Sequence, residues 1–104
     1  MDVVRTPSVR DTRRRLRRPT SLNARMAASS LGRFDVEVTD LSSDGCRLRS
    51  PFHFDAGETL VLTFPFLSPM GSTVCWCDAE CVGLRFNRPL HDTVVDMLIG
   101  VRRH

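Results

Sequence analysis

The chain has 104 residues, 41% of them hydrophobic and 26% charged, enough for one modest core and too few for two domains. Its net charge of +3 comes from 15 arginines, with no lysine, against 12 acidic residues. No apolar run approaches the ~18 residues that span a bilayer, and none follows the N-terminal arginines as a secretion signal requires, so a cytoplasmic protein with reduced cysteines is expected.

The charge is local. Residues 1–33 hold nine arginines against Asp2 and Asp11, a balance of +7, whereas residues 34–104 carry −4. A basic segment beside a mildly acidic body points to an anionic ligand. Residues 1–12, with Pro7 and no periodicity, read as a flexible arm, and residues 13–104 as the folded domain. Five arginines occupy the six positions 13–18. Arginine's planar fork grips a phosphate or a guanine edge at two points, which a lysine cannot do.

From Leu22 the sequence becomes short alternating runs separated by turn residues, the pattern of an antiparallel sheet or barrel. "LNARM" is a first strand. "RFDVEVTDL" is a second, with Phe34, Val36 and Val38 on one face and Asp35, Glu37 and Thr39 on the other. "SSDG" is a turn in which Gly45 can take a positive φ. "CRLRS" follows as a strand, "PFHFDAGE" as a connection, and "TLVLTFPF" as an apolar strand. "LSPMG" turns the chain, and "STVCWCD" and "ECVGLRF" form a hairpin with Ala79 near its tip. Trp76 and the six phenylalanines are expected to fill a small closed or half-closed barrel, since closure removes exposed edges. At the end, "RPLHDTVVDMLIGVRR" places Leu90, Val94 and Leu98 at helical spacing, with Val95 and Val101 widening the stripe. A helix over about 89–101 is expected to pack at the barrel mouth, with Pro89 in its first turn.

Two elements carry the chemistry: arginines four apart before the first strand, and "DLSSDG" at 40–45 closing the second. Together they resemble the signature of the PilZ domain family, RxxxR followed by (D/N)xSxxG, with Asp40, Ser42 and Gly45 matching the second half. The strand order, "CVGLRF" and the closing helix are also similar to that family, over about residues 13–100. The resemblance implies an all-β fold, a small antiparallel six-stranded barrel with a short C-terminal α-helix. It also implies a bacterial receptor for cyclic di-GMP that is not an enzyme.

The chemistry agrees with that implication. Cyclic di-GMP offers guanine O6 and N7 acceptors and two phosphodiesters to arginine forks, while a carboxylate such as Asp40 accepts from guanine N1 and N2 or from ribose hydroxyls. The Ser42 hydroxyl both gives and accepts, and Gly45 lets a ligand come close to the backbone. Three arginine pairs satisfy the spacing: Arg10 with Arg14, Arg13 with Arg17, and Arg14 with Arg18. Pro19 favours Arg14 and Arg18, because the family usually sets its second arginine directly before the first strand, often close to a proline. Arg13, Arg15 and Arg17 are then accessory, supplying field or phosphate contacts.

Other readings stand beside this one. "DLSSDG" alone is an ordinary Ser turn bonding local amides. Cys75, Cys77 and Cys81 lie on one strand face by alternation, with Trp76 on the other, but lack the fourth ligand and the C-x2-C spacing of structural zinc. His53, His91 and His104 are scattered, and no nucleophile has a base partner, so no metal, cofactor or catalytic site is assigned. The expected partners are cyclic di-GMP and an unidentified effector protein, with self-association as another output. The alternatives are a PilZ adaptor that binds only protein, and a small basic nucleic-acid-binding barrel.

Overall fold

The computed structural model describes residues 18–29 and 31–101. The expected arm, and with it Arg13, Arg14, Arg15 and Arg17, lies outside the described residues. Six antiparallel strands, β1 (Arg18–Ala28), β2 (Gly32–Leu41), β3 (Gly45–Arg49), β4 (Thr59–Thr63), β5 (Met70–Cys77) and β6 (Cys81–Phe86), are followed by one helix among the described residues, α1 (Asp92–Val101). The strands close into a barrel in the order β1-β2-β3-β6-β5-β4.

Alternation drives closure. Leu22, Ala24, Met26 and Ala28 of β1 point inward, as do Val36, Val38 and Leu41 of β2, Cys46 and Leu48 of β3, Leu60 and Leu62 of β4, and Val82, Leu84 and Phe86 of β6. Met26, Leu41, Leu48, Leu62 and Phe64 are completely or almost completely buried. Burying a side chain of this size contributes about 1.5–3 kcal/mol. Val95, Leu98 and Ile99 of α1 join the same cluster and cap the barrel, with Leu90 and Val94 half-buried beside them.

Three details depart from the sequence reading. The helix begins at Asp92, not near Pro89: the His91 carbonyl accepts the amides of Val94 and Val95, and Pro89 lies in the connection before it. Gly45 does not use a positive φ; among the described glycines, Gly32 and Gly57 do, at 76° and 92°. Gly45 is required for a different reason, since a Cβ there would overlap the Leu84 carbonyl on β6. The aromatic residues divide: Phe54, Phe64 and Phe86 are buried, with Phe64 and Phe86 edge to face at 5.9 Å, but Phe52, Phe66 and Trp76 are exposed.

The glycines generate a contrast in stability. Gly45→Ala must push two hydrogen-bonded strands apart and is expected to cost about 1–3 kcal/mol, as overpacking typically does. Gly100→Ala, on a helical residue whose added Cβ meets nothing within 4 Å, is expected to stabilise by up to about 1 kcal/mol. Urea midpoints of the two variants measure both.

Candidate functional site

The two halves of the motif are joined by strand pairing. In the β1–β2 ladder Arg18 lies opposite Leu41 and Pro19 opposite Asp40, so the arginine next to the proline sits directly beside the "DLSSDG" turn. Only this member of the expected arginine pair is within the described residues. Its guanidinium is bonded to the Asp96 carboxylate of α1, and both side chains are substantially exposed, 41% and 61%.

The outward aim of Asp40 comes from a bulge. Strict alternation after inward Val38 would turn Thr39 out and Asp40 in. The β2–β3 register instead shifts between Val38 and Asp40, so Thr39 and Asp40 together face Arg47 before Leu41 returns to the core. An extra residue of this kind re-aims side chains and recurs beside functional sites. Asp40 Oδ2 lies 2.9 Å from Arg47 Nη2, and Arg47 Nε donates to Thr39 Oγ1 at 3.2 Å. The carboxylate is only 15% exposed, against 43% for its arginine.

Ser42 is turned into its own loop. Its amide donates to the Gly45 carbonyl at 2.9 Å, and its hydroxyl accepts the amides of Asp44 and Gly45 at 3.3 and 3.2 Å while reaching the Gly45 carbonyl at 3.3 Å. With the residue buried, the hydroxyl is committed to holding the turn. The turn is also tied to the chain leading into α1: the Leu90 amide donates to the Ser43 carbonyl and the Phe86 amide to the Asp44 carbonyl.

A second bulge shapes the other side of the site. The β5–β6 register shifts between Val74 and Trp76, which puts Cys75 and Trp76 together on the outer face. This overturns the expectation that the cysteines share one face and the tryptophan the other, because the inserted residue breaks the period of two. Trp76 lies opposite Gly83, and a Cβ on Gly83 would overlap the Nε1 edge of the indole. The indole thus rests on the bare backbone of β6, 39% exposed. Gly83 in turn pairs with Arg47. A continuous row crosses five strands: Pro19, Asp40, Arg47, Gly83, Trp76. It sets a carboxylate, a guanidinium and an aromatic surface side by side.

From the sequence Thr39 is only an outward strand residue and Trp76 a barrel filler, and Arg47 and Gly83 carry no assigned role. The available signal was "CVGLRF", where a glycine inside a strand pattern marks a close approach, but its partner depends on register. Beyond the row, Asp78 closes the β5–β6 turn, its Oδ1 accepting the Glu80 and Cys81 amides at 2.9 and 2.8 Å. These two hydrogen bonds, aided by the field of Arg47, hold its carboxyl below the usual carboxylate range. Among the described residues no group of three or more histidine, cysteine or acidic side chains is placed to hold a metal, and no helix is long and apolar enough to cross a membrane.

Comparison with known proteins bears on the fold. A family model described as the PilZ domain matches residues 9–100. The structure of K. pneumonia MrkH in its apo state aligns with a TM-score of 0.56 at 17% identity, covering 92% of this chain and 55% of the MrkH chain. The present chain therefore matches little more than half of MrkH, and at that identity the likeness concerns the fold alone. No curated protein sequence matches the chain.

Two measurements check the local chemistry. Gly83→Ala is expected to lift the indole off β6; since Trp76 is the sole tryptophan, a red shift in fluorescence emission reports it directly. Asp78 bonds as a carboxylate, so its contribution is present above about pH 4 and is lost as pH falls through its lowered folded pKa. Asp78→Ala should lower the urea midpoint at pH 7 and flatten the loss of stability below pH 4. Asp78→Asn, which keeps an acceptor oxygen but does not titrate, should regain much of the pH 7 midpoint while the loss below pH 4 stays flattened.

Proposed function

The chain belongs to the PilZ domain family, and from that premise we propose that it is a cyclic di-GMP receptor of the bacterial cytoplasm that relays the messenger's level to a partner protein. The observation that carries the reading is the β1–β2 register, which sets Arg18 beside the Asp40–Gly45 turn. Arg14 and Arg18 supply the forks that meet guanine O6 and N7 or a phosphodiester. Asp40, turned outward by its bulge, accepts from the guanine donor edge or a ribose hydroxyl through the carboxylate oxygen not bonded to Arg47.

The remaining motif residues act on shape. Ser42 fixes the turn through its hydroxyl, and Gly45 lets β3 lie close against β6, so that Asp40 and Arg18 keep their spacing. Arg13, Arg15 and Arg17 add positive field around the messenger. The exposed indole of Trp76 gives a purine a surface to stack on, an interaction worth about 1–3 kcal/mol per base in nucleic-acid sites. The effector and any self-association follow from ligand-dependent changes at this face.

A second reading has its own observation. Arg18 is bonded to Asp96 and Asp40 to Arg47, so the motif charges are already neutralised within the fold, as an adaptor that binds only protein would allow. Titration calorimetry with cyclic di-GMP, cyclic di-AMP and a random single-stranded oligonucleotide separates the readings. The receptor gives heat with cyclic di-GMP alone, and the adaptor gives none. A basic nucleic-acid-binding barrel gives oligonucleotide binding that falls steeply with salt. Arg18→Ala is expected to weaken cyclic di-GMP binding by about 1–3 kcal/mol, the worth of one bidentate guanine contact, while Arg5→Ala leaves it nearly unchanged. Equal losses would indicate a diffuse electrostatic attraction instead.

A further inference from the structure

Beyond Gly45 the outer face continues into a hollow that the motif does not include. Gly45 pairs with Arg85 across the β3–β6 ladder. A cavity of about 440 Å³ there is lined by Asp44, Arg85, Phe86, Asn87 and Pro89. Most of the described arginines are engaged: Arg18 with Asp96, Arg25 with Asp35, Arg47 with Asp40 and Arg49 with Glu37. Arg85 makes no ion pair among the described residues, although it is exposed at the rim of a cavity. Arg88 adds a second cation in the same segment. Asn87 is fixed in place, its Oδ1 accepting the Thr73 hydroxyl at 2.9 Å.

The chemistry of this hollow is specific. An arginine fork matches the O6 and N7 acceptors of guanine; adenine presents a donor at N6 where guanine presents O6. Arg85 brings that fork to the cavity. Arg85 stands three strand spacings from Arg18, by way of Leu41, Cys46 and Leu84. At about 4.8 Å per spacing that is about 14 Å along the sheet, a separation suited to a ligand with a guanine at each end.

We propose that the hollow between Asp44 and Arg85 is a second guanine pocket, so that one cyclic di-GMP is held across Gly45, with one base near Arg18 and the other on Arg85. This inference rests on the receptor reading above. Arg85 reads the acceptor edge of the far guanine, while Asn87 and Pro89 wall the base.

The test is a calorimetric cycle on the whole chain with two ligands, cyclic di-GMP and cyclic GMP–AMP, and three proteins: wild type, Arg85→Ala and Arg33→Ala. Arg33 is also exposed and without an ion pair among the described residues, but it lies at the far end of β2. Wild type is expected to prefer cyclic di-GMP by tenfold or more. Arg85→Ala should lose about tenfold in affinity for cyclic di-GMP at unchanged stoichiometry, and most of the preference with it, while Arg33→Ala keeps both. Full preference retained in Arg85→Ala, an equal loss in Arg33→Ala, or a fall in stoichiometry at unchanged affinity would each overturn the pocket and leave the receptor reading standing. Wild type giving no heat with either nucleotide would remove both. Because Arg85 is exposed on the strand surface, an unchanged urea midpoint shows that the variant is folded.

Discussion

The outer face of this barrel depends on one irregularity, the extra residue that β2 places opposite Arg47. Without it a strand period of two would send Asp40 toward the core, where an unpaired carboxylate costs several kcal/mol, and would expose Leu41. With it, Leu41 is fully buried, and Thr39 and Asp40 both grip one guanidinium. The β5 bulge repeats the device, sending Trp76 outward over Gly83. Both bulges fall in the row of Arg47 and Gly83, and β1 has its own register shift between Pro19 and Leu22 at the same level. Charge, carboxylate and aromatic ring reach one surface because strand regularity fails in three places at one height.

The motif therefore mixes two kinds of requirement. Asp40 and Arg18 carry charge on the outer face, Asp40 held by a shielded pair with Arg47 and Arg18 by an exposed pair with Asp96. Ser42 and Gly45 are architectural, one because its hydroxyl holds three backbone groups of its own turn, the other because β6 leaves no room for a side chain. Among the described residues the motif thus pairs two outward charges, Arg18 and Asp40, with a serine and a glycine that keep the turn and the β3–β6 contact in shape. The same holds across the sheet, where Gly83 leaves room for the indole of Trp76.

The sequence carried the element order well. Alternating Phe34, Val36 and Val38, the apolar run at β4 and the helical spacing of Val94, Val95 and Leu98 are strong periodic signals, and the barrel follows from them because six short strands must hide their edges. What it hid were the breaks in period. Nothing local in "VTDL" or "VCWCD" announces a bulge, so Trp76 was placed inside and the cysteines were aligned by simple alternation. The reason for Gly45 was equally invisible, because the atom it avoids, the Leu84 carbonyl, lies 39 residues away and is brought there by tertiary pairing. Arg85 carries no signal of its own in the sequence, because the role of an arginine in a strand depends on its cross-strand neighbour.

The internal ion pairs at this face bear on how a ligand gains access to it. Arg18 and Asp96 are both largely exposed, and pairs of that kind contribute about 0–1 kcal/mol in water. A bidentate contact to guanine is worth more than this, so under the proposed receptor function Arg18 would leave Asp96 at small cost. Asp40 differs: it is mostly shielded and pairs with an Arg47 also bonded to Thr39. Removing Arg47 would strand a half-desolvated carboxylate, so this pair holds its geometry while the ligand adds to it. The face thus combines a fixed acceptor, set by the bulge, with a donor that can move, and the fixed half shares a row with the exposed ring of Trp76.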